Sequence, residues 1–176
     1  MAQAGDARPS PAEAQRFRAL VLPHLDAAYG LARYLTRDGA QAEDIVQEAF
    51  LKGYRGFAAF RGGDPRAWLL AIVRNEFLSA ARRRTPSADP EAAEATPAAD
   101  DSPETALVRS GEVATVRRAI EVLPQPFRET LVLRELEEMS YRQIAEVTAA
   151  PIGTVMSRLA RAREMLRAAL SEEDAR

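Results

Sequence analysis

The chain has 176 residues, no cysteine, one histidine and a formal net charge of −2. That length suits one ordinary domain or two small ones of about 60–80 residues each. The composition excludes disulfides and thiolate metal sites and leaves His24 as the sole imidazole, which argues against a His-ligated metal or a His-based catalytic centre. No apolar run approaches the roughly 20 residues of a membrane span, and the N-terminus lacks an apolar signal core, so a cytoplasmic protein with no membrane span is expected.

Residues 1–13 are rich in Ala, Pro and polar side chains and read as a loose tail. Residues 14–84 carry helical patterning. Phe17, Leu20, Val21, Ala28, Leu31, Ala32 and Leu35 recur at three- and four-residue spacing, and Asp38-Gly39 is a break. A second helix places Ile45, Val46, Ala49, Phe50 and Tyr54 on one side. Arg61-Gly62-Gly63 reads as a loop. Asp64 is a natural N-cap with Pro65 in the first turn behind it. The third helix is expected to bury Trp68, Leu69, Ile72, Val73 and Phe77. It ends in Arg82-Arg83-Arg84, cations that suit a helix C-terminus.

Residues 85–103 are a linker of Ala, Pro and acids with almost no large apolar side chain. Such a segment cannot bury enough surface to offset its ordering entropy. Between positions 85 and 110 stand Asp89, Glu91, Glu94, Asp100, Asp101 and Glu104 against Arg109 alone. The bases concentrate elsewhere, at the triplet and at Arg158, Arg161, Arg163 and Arg167. The small net charge therefore conceals basic surfaces of the kind that bind phosphate. Helical patterning returns over residues 104–170, with helices over 113–123 and 127–136 around Pro124-Gln125-Pro126 and two shorter ones after them; 171–176 read as a tail. No segment alternates like a strand. The expected fold is all-α, two small helical domains joined by a flexible acidic linker.

Residues 140–163 read as a helix-turn-helix. Ser140 is an N-cap, and Gln143 three residues later completes a capping box. Ile144, Ala145 and Val147 give the apolar side of a short helix, and Thr148-Ala149-Ala150-Pro151 a turn. Pro151 opens a helix whose core stripe is Val155, Leu159, Ala162 and Leu166. Its other side displays Thr154, Ser157, Arg158 and Arg161. A helix seated in the major groove needs that division, with apolar residues behind and arginines and hydroxyls in front. Backbone N–H groups near Gly153 and Thr154 are placed to hold a phosphate. A surface helix with solvated arginines has the same composition; the capping box, the paired short helices and small Ala145 favour DNA. Ala149 is expected at a left-handed turn position, at a cost of roughly 1 kcal/mol.

The run SYRQIAEVTAAPIGTVMSRLARAREML closely resembles the sigma-4 domain of bacterial extracytoplasmic-function sigma factors, with LPQPFRETLVLRELEEM as its lead-in. Independently, AEDIVQEAFLKGYRGFAAF followed by PRAWLLAIVRNEFLSAARRR resembles the sigma-2 domain of the same family. The two stand in the family's order. The resemblance implies that Asp44, Gln47, Glu48, Leu51 and Lys52 dock on the β′ clamp helices of core RNA polymerase, whose β subunit is a further partner. An acidic, polar helical face with one leucine fits a basic coiled coil, although a solvated helix face looks alike.

The resemblance also implies capture of a base flipped from the −10 element, at Gly56, Phe60 and Arg61 in the loop and Ile72 and Asn75 on the third helix. Asn75 can donate and accept, so it can read a base edge, or it is a satisfied polar residue on a helix flank. Trp68 reads as core rather than as a stacking platform. Arg74, Arg82, Arg83 and Arg84 are implied to contact phosphates, which position a duplex without specifying its sequence. At the −35 element, Ser157, Arg158 and Arg161 match positions near bases, where arginine can bond guanine in a bidentate manner. Met156 stands where the family often has a basic residue, which leaves it to meet a thymine methyl or to fill space. Arg142 and Thr154 are backbone-contact candidates.

The implied protein is an RNA polymerase sigma factor. It takes no cofactor, performs no covalent chemistry, binds core polymerase and promoter DNA, and is a target for an anti-sigma factor. The acidic linker is suited to basic channels of the polymerase. Two other readings stay open: a free-standing helix-turn-helix regulator, for which neither a dimer seam nor an effector pocket is visible, and a sigma mimic that sequesters a regulator, which would lack the DNA-facing arginines. An enzyme is disfavoured because no nucleophile–base or metal constellation is present.

Overall fold

The computed structural model describes residues 9–84 and 109–174. The expected acidic linker and most of the expected N-terminal tail lie outside them. Among the described residues are eight α-helices and no strand: α1 (Pro11–Leu20), α2 (Leu25–Thr36), α3 (Gly39–Gly56), α4 (Pro65–Arg84), α5 (Arg109–Glu121), α6 (Gln125–Glu135), α7 (Tyr141–Thr148) and α8 (Ile152–Asp174). Short 3-10 turns cover Leu22–His24 and Phe57–Ala59.

Helix α1 starts earlier than the patterning suggests. The Ser10 hydroxyl accepts from the Glu13 backbone N–H at 3.3 Å, the Glu13 carboxylate accepts from the Ser10 N–H at 2.8 Å, and Pro11 holds a position where no helical donor is needed. The helix thus begins at Pro11, three residues before the expected boundary. The apolar series from Phe17 to Leu35 is not one helix either. Pro23 lacks the N–H that an unbroken ladder would use there, and the chain makes a 3-10 turn at Leu22–His24 before α2 begins.

The break expected at Asp38-Gly39 falls one residue earlier. Arg37 takes the left-handed conformation (φ 58°) that closes α2, and Asp38 caps α3 by accepting from the Gln41 N–H at 2.9 Å. Ala28, Leu31, Ala32 and Leu35 of α2 meet Ala42, Ile45, Val46 and Ala49 of α3 in the first half's core. Both sets recur at the spacing of one helical face. At one end Phe17, Phe57, Phe60 and Trp68 form an aromatic cluster, with ring centroids 5.2–6.0 Å apart along the chain of contacts.

Helix α4 departs from expectation. Leu69 and Val73 are buried as foreseen, but Trp68, Ile72 and Phe77 are only partly covered, whereas Ala67, Leu70 and Glu76 are buried. The reason is that α4 has neighbours on two sides: α2 and α3 from its own half, and α7 from the other. Glu76 tolerates burial because Lys52 of α3 donates to it at 2.6 Å.

In the second half, α8 packs against α5, α6 and α7. Arg128 of α6 is buried here. Its guanidinium donates to the carbonyls of Glu121 (3.0 Å) and Leu123 (2.7 Å), which the end of α5 leaves without helical partners, and to that of Leu35 at the end of α2 (3.3 Å). Burial pushes its pKa down to about 10, still far above neutral, so the group stays charged. Helix α8 continues to Asp174, so part of the expected C-terminal tail is helical. No described helix is long and apolar enough to cross a membrane.

Candidate nucleic-acid interface

The helix-turn-helix forms as its local chemistry dictates. The Ser140 hydroxyl accepts from the Gln143 N–H at 3.2 Å, and the Gln143 side chain accepts from the Ser140 N–H at 2.8 Å. Ala149 holds the left-handed position (φ 51°) that ends α7, and its N–H donates to Ala145 O. The Pro151 carbonyl then accepts from the Val155 N–H at 3.1 Å as the first bond of α8. Val155, Leu159 and Ala162 are buried, and Leu166 packs against them.

The opposite side of α8 carries the residues expected at the −35 element. Met156, Ser157 and Arg161 are exposed; Thr154 and Arg158 are half-buried. The Ser157 hydroxyl donates to Thr154 O at 3.0 Å, so its proton is used within the helix and its lone pairs face outward. Arg142 of α7 is exposed and lies 3.6 Å from Glu146 one turn on. The α8 side chains lie away from its buried stripe of Val155, Leu159 and Ala162.

The five residues expected to dock on polymerase, Asp44, Gln47, Glu48, Leu51 and Lys52, are all exposed on α3, opposite its buried stripe. Leu51 keeps 47% of its surface in water, high for a leucine beside a complete core. Lys52 has a second role as the partner of Glu76. Beside this face, α3 and the end of α4 enclose a groove of about 320 Å³ lined by Asp44, Ile45, Glu48, Glu76, Phe77 and Arg83, among others.

The residues expected at the −10 element lie in three places. Gly56, Phe60 and Arg61 lie by the aromatic cluster. Phe60 stacks on Phe57 and leans on Trp68, and Arg61 curls back to donate to Ala58 O at 3.1 Å. Ile72 is half-buried and Asn75 exposed, about one turn apart on α4. Arg82, Arg83 and Arg84 are exposed at the far end of the same helix, about 30 Å from its start. Arg83 and Arg84 line the groove between α3 and α4 rather than the Phe60 loop, and Arg84 donates to Gln41.

Arg74 belongs to none of these groups. It is expected to face phosphate, yet here its guanidinium donates to Glu129 of α6, a carboxylate with 1% of its side chain exposed. Sequence reasoning missed Glu129 and the other residues at this junction. Burial pushes the Glu129 carboxyl upward; Arg74, Gln125 and, more weakly, Arg158 pull it back.

A capped helix-turn-helix packed against a second helical body with an exposed polar face on α3 defines a two-part helix-turn-helix protein. Comparison with known proteins identifies which kind. Residues 20–86 match the model of Sigma-70 region 2, and residues 114–166 that of Sigma-70, region 4. The chain is 40% identical over 165 residues to the RNA polymerase sigma-H factor of Pseudomonas aeruginosa, covering 88% of this chain and 86% of that protein. It is 40% identical over 134 residues to the ECF RNA polymerase sigma-E factor of Escherichia coli K12, 70% of each chain. Among solved structures it resembles the sigma factor RpoE of Bartonella quintana in complex with the anti-sigma factor NepR, with a TM-score of 0.70 at 29% identity over 89% of this chain and 98% of that one. It also resembles CnrH in complex with the cytosolic domain of CnrY, with a TM-score of 0.62 at 26% identity over 90% of each chain. The chain belongs to the sigma-70 family, in its extracytoplasmic-function class, and is an RNA polymerase sigma factor.

Proposed function

We propose that this sigma factor divides its work among three surfaces. Asp44, Gln47, Glu48, Leu51 and Lys52 hold core polymerase. Arg142, Thr154, Met156, Ser157, Arg158 and Arg161 engage −35 duplex, with Arg158 and Arg161 at guanine edges, Ser157 at bases or adjacent phosphates, Met156 at a thymine methyl, and Arg142 and Thr154 at the backbone. Gly56, Phe60, Arg61, Ile72 and Asn75 capture a flipped −10 base, with Arg74 and the Arg82–Arg84 triplet on phosphates. The acidic segment 85–103 runs through basic channels of the polymerase. No bond is made or broken by the chain; its contribution is binding energy spent on opening DNA, and it acts in the cytoplasm alongside the polymerase.

The observation that carries this division is the pair of exposed faces on opposite halves. The α3 residues lie on a polar surface with a solvated leucine, and the α8 residues lie on an arginine surface backed by a complete core. A solved relative, the sigma factor RpoE, is in complex with the anti-sigma factor NepR, and we extend a partner of that class to this chain.

Electrophoretic mobility shift on a promoter fragment tests the reading against a free-standing regulator. Stable binding only when core polymerase is present is the expected result. Equally tight, sequence-specific binding by the chain alone would overturn it.

A further inference from the structure

The two halves meet across a junction of opposite charge. The first half contributes Arg33, Arg37, Arg66 and Arg74; the second contributes Glu121, Glu129 and Glu137. Arg33 lies 3.6 Å from the Glu121 carboxylate, Arg37 donates to Glu121 O at 3.2 Å, and Arg66 lies 3.8 Å from Glu137. At the start of α4, Gln143 of α7 donates to Asp64 at 2.6 Å. About 15 Å further along α4, Arg74 meets Glu129.

Glu129 is the most buried of these acids, and both its oxygens are occupied. One accepts from Arg74, the other from Gln125 at 3.0 Å. Arg158 also lies near enough to favour its charge. One carboxylate therefore sits between an arginine assigned to the −10 region and one assigned to the −35 element.

A carboxylate and a phosphate offer arginine the same chemistry, two anionic oxygens in a plane that the guanidinium fork can meet. Arg74 cannot hold both. Nor is the pair a strong clamp. Burying Glu129 is costly, and opening the junction returns that carboxylate to water while a DNA phosphate takes its place on Arg74. The exchange replaces one anion on Arg74 with another, and a ligand that prefers the open arrangement can drive it.

We propose that Glu129 is an interdomain latch: its carboxylate occupies Arg74 where a promoter phosphate would sit, so that the closed arrangement withholds Arg74 from DNA and the DNA backbone competes it open. This rests on the assignment of Arg74 to promoter phosphate made above.

The absence of cysteine makes the test clean. Ala19→Cys on α1 and Ala168→Cys on α8 replace two exposed alanines and accept a donor–acceptor dye pair in the full chain. Arg74→Glu and Glu129→Arg are each expected to lose energy transfer, because like charges then face one another. The exchange Arg74→Glu with Glu129→Arg is expected to restore it. A short single-stranded oligonucleotide, added in excess to populate the weak binding expected without core polymerase, is expected to lower transfer in the otherwise unchanged labelled chain in step with the fraction bound, followed by anisotropy. Unchanged transfer in the single reversals, no recovery in the exchange, or binding of the oligonucleotide at unchanged transfer would each overturn the latch. Circular dichroism checks that the helices persist. Where a reversal unfolds the chain, Arg74→Gln serves instead, with partial loss of transfer expected and unchanged transfer again decisive against. Failure of the promoter-binding assignment would appear separately, as no transcription with core polymerase, and would leave the charge-exchange result standing.

Discussion

The outer face of α3 and the inner side of α4 belong to the same half of the molecule and have opposite fates. On α3 all five residues assigned to polymerase point into water, and only Lys52 has an internal partner. On α4, Arg74 is turned toward the second half and paired with a buried glutamate. The α3 face is thus open to a partner as it stands, whereas on the proposal above Arg74 reaches DNA only after Glu129 releases it.

The comparison can be broken most forcefully by removing the scaffold behind the second surface. Leu159→Ala opens a cavity beneath α8 where the leucine is now 1% exposed, and a loss of about 2–5 kcal/mol in stability is expected by thermal or denaturant unfolding. Next in size is the α3 face. Asp44→Lys with Glu48→Lys sets like charges against a basic partner and is expected to weaken core-polymerase binding by about 2–4 kcal/mol, with the unfolding midpoint nearly unchanged because both side chains are solvated. Loss of stability instead of binding would place these residues in the core rather than at an interface.

Two smaller effects sharpen the contrast. Arg161→Ala is expected to cost about 1–3 kcal/mol in −35 recognition, measured by competition between promoter variants, while core binding stays intact. Asn75→Ala is expected to slow −10 opening, followed by permanganate reactivity of unpaired thymines, more than it weakens initial duplex binding. The smallest concerns the turn itself. Ala149 sits at φ 51°, where glycine carries no Cβ penalty, so Ala149→Gly is expected to raise stability by about 1 kcal/mol without altering promoter choice.

These effects follow the division between what local sequence encodes and what it does not. The Ser140–Gln143 capping box, the Asp64 cap, the left-handed Ala149 and the stripe of α8 depend on contacts within a few residues, and each was legible; the Ser10–Glu13 box is equally local but lay in a stretch read as a tail. The exposed α3 face follows from the same periodicity that fixes its buried side. Other features escaped. The break at Pro23 was hidden because apolar spacing continues across it, although the proline itself is a breaker. The neighbours of α4 escaped because a helix buried on two sides has no single apolar stripe. The junction left no trace at all. Arg74 and Glu129 are 55 positions apart, and Asp64 and Gln143 are 79 apart. Asp64 and Gln143 already had complete local explanations as capping residues, so nothing remained to signal a distant partner.

In vitro transcription, with this chain and core polymerase on genomic fragments and with start sites mapped, decides whether the chain directs initiation. Discrete start sites preceded by −10 and −35 elements at a fixed spacing are expected, lost when Asp44 and Glu48 are reversed. Start sites no more abundant than with core polymerase alone would contradict it.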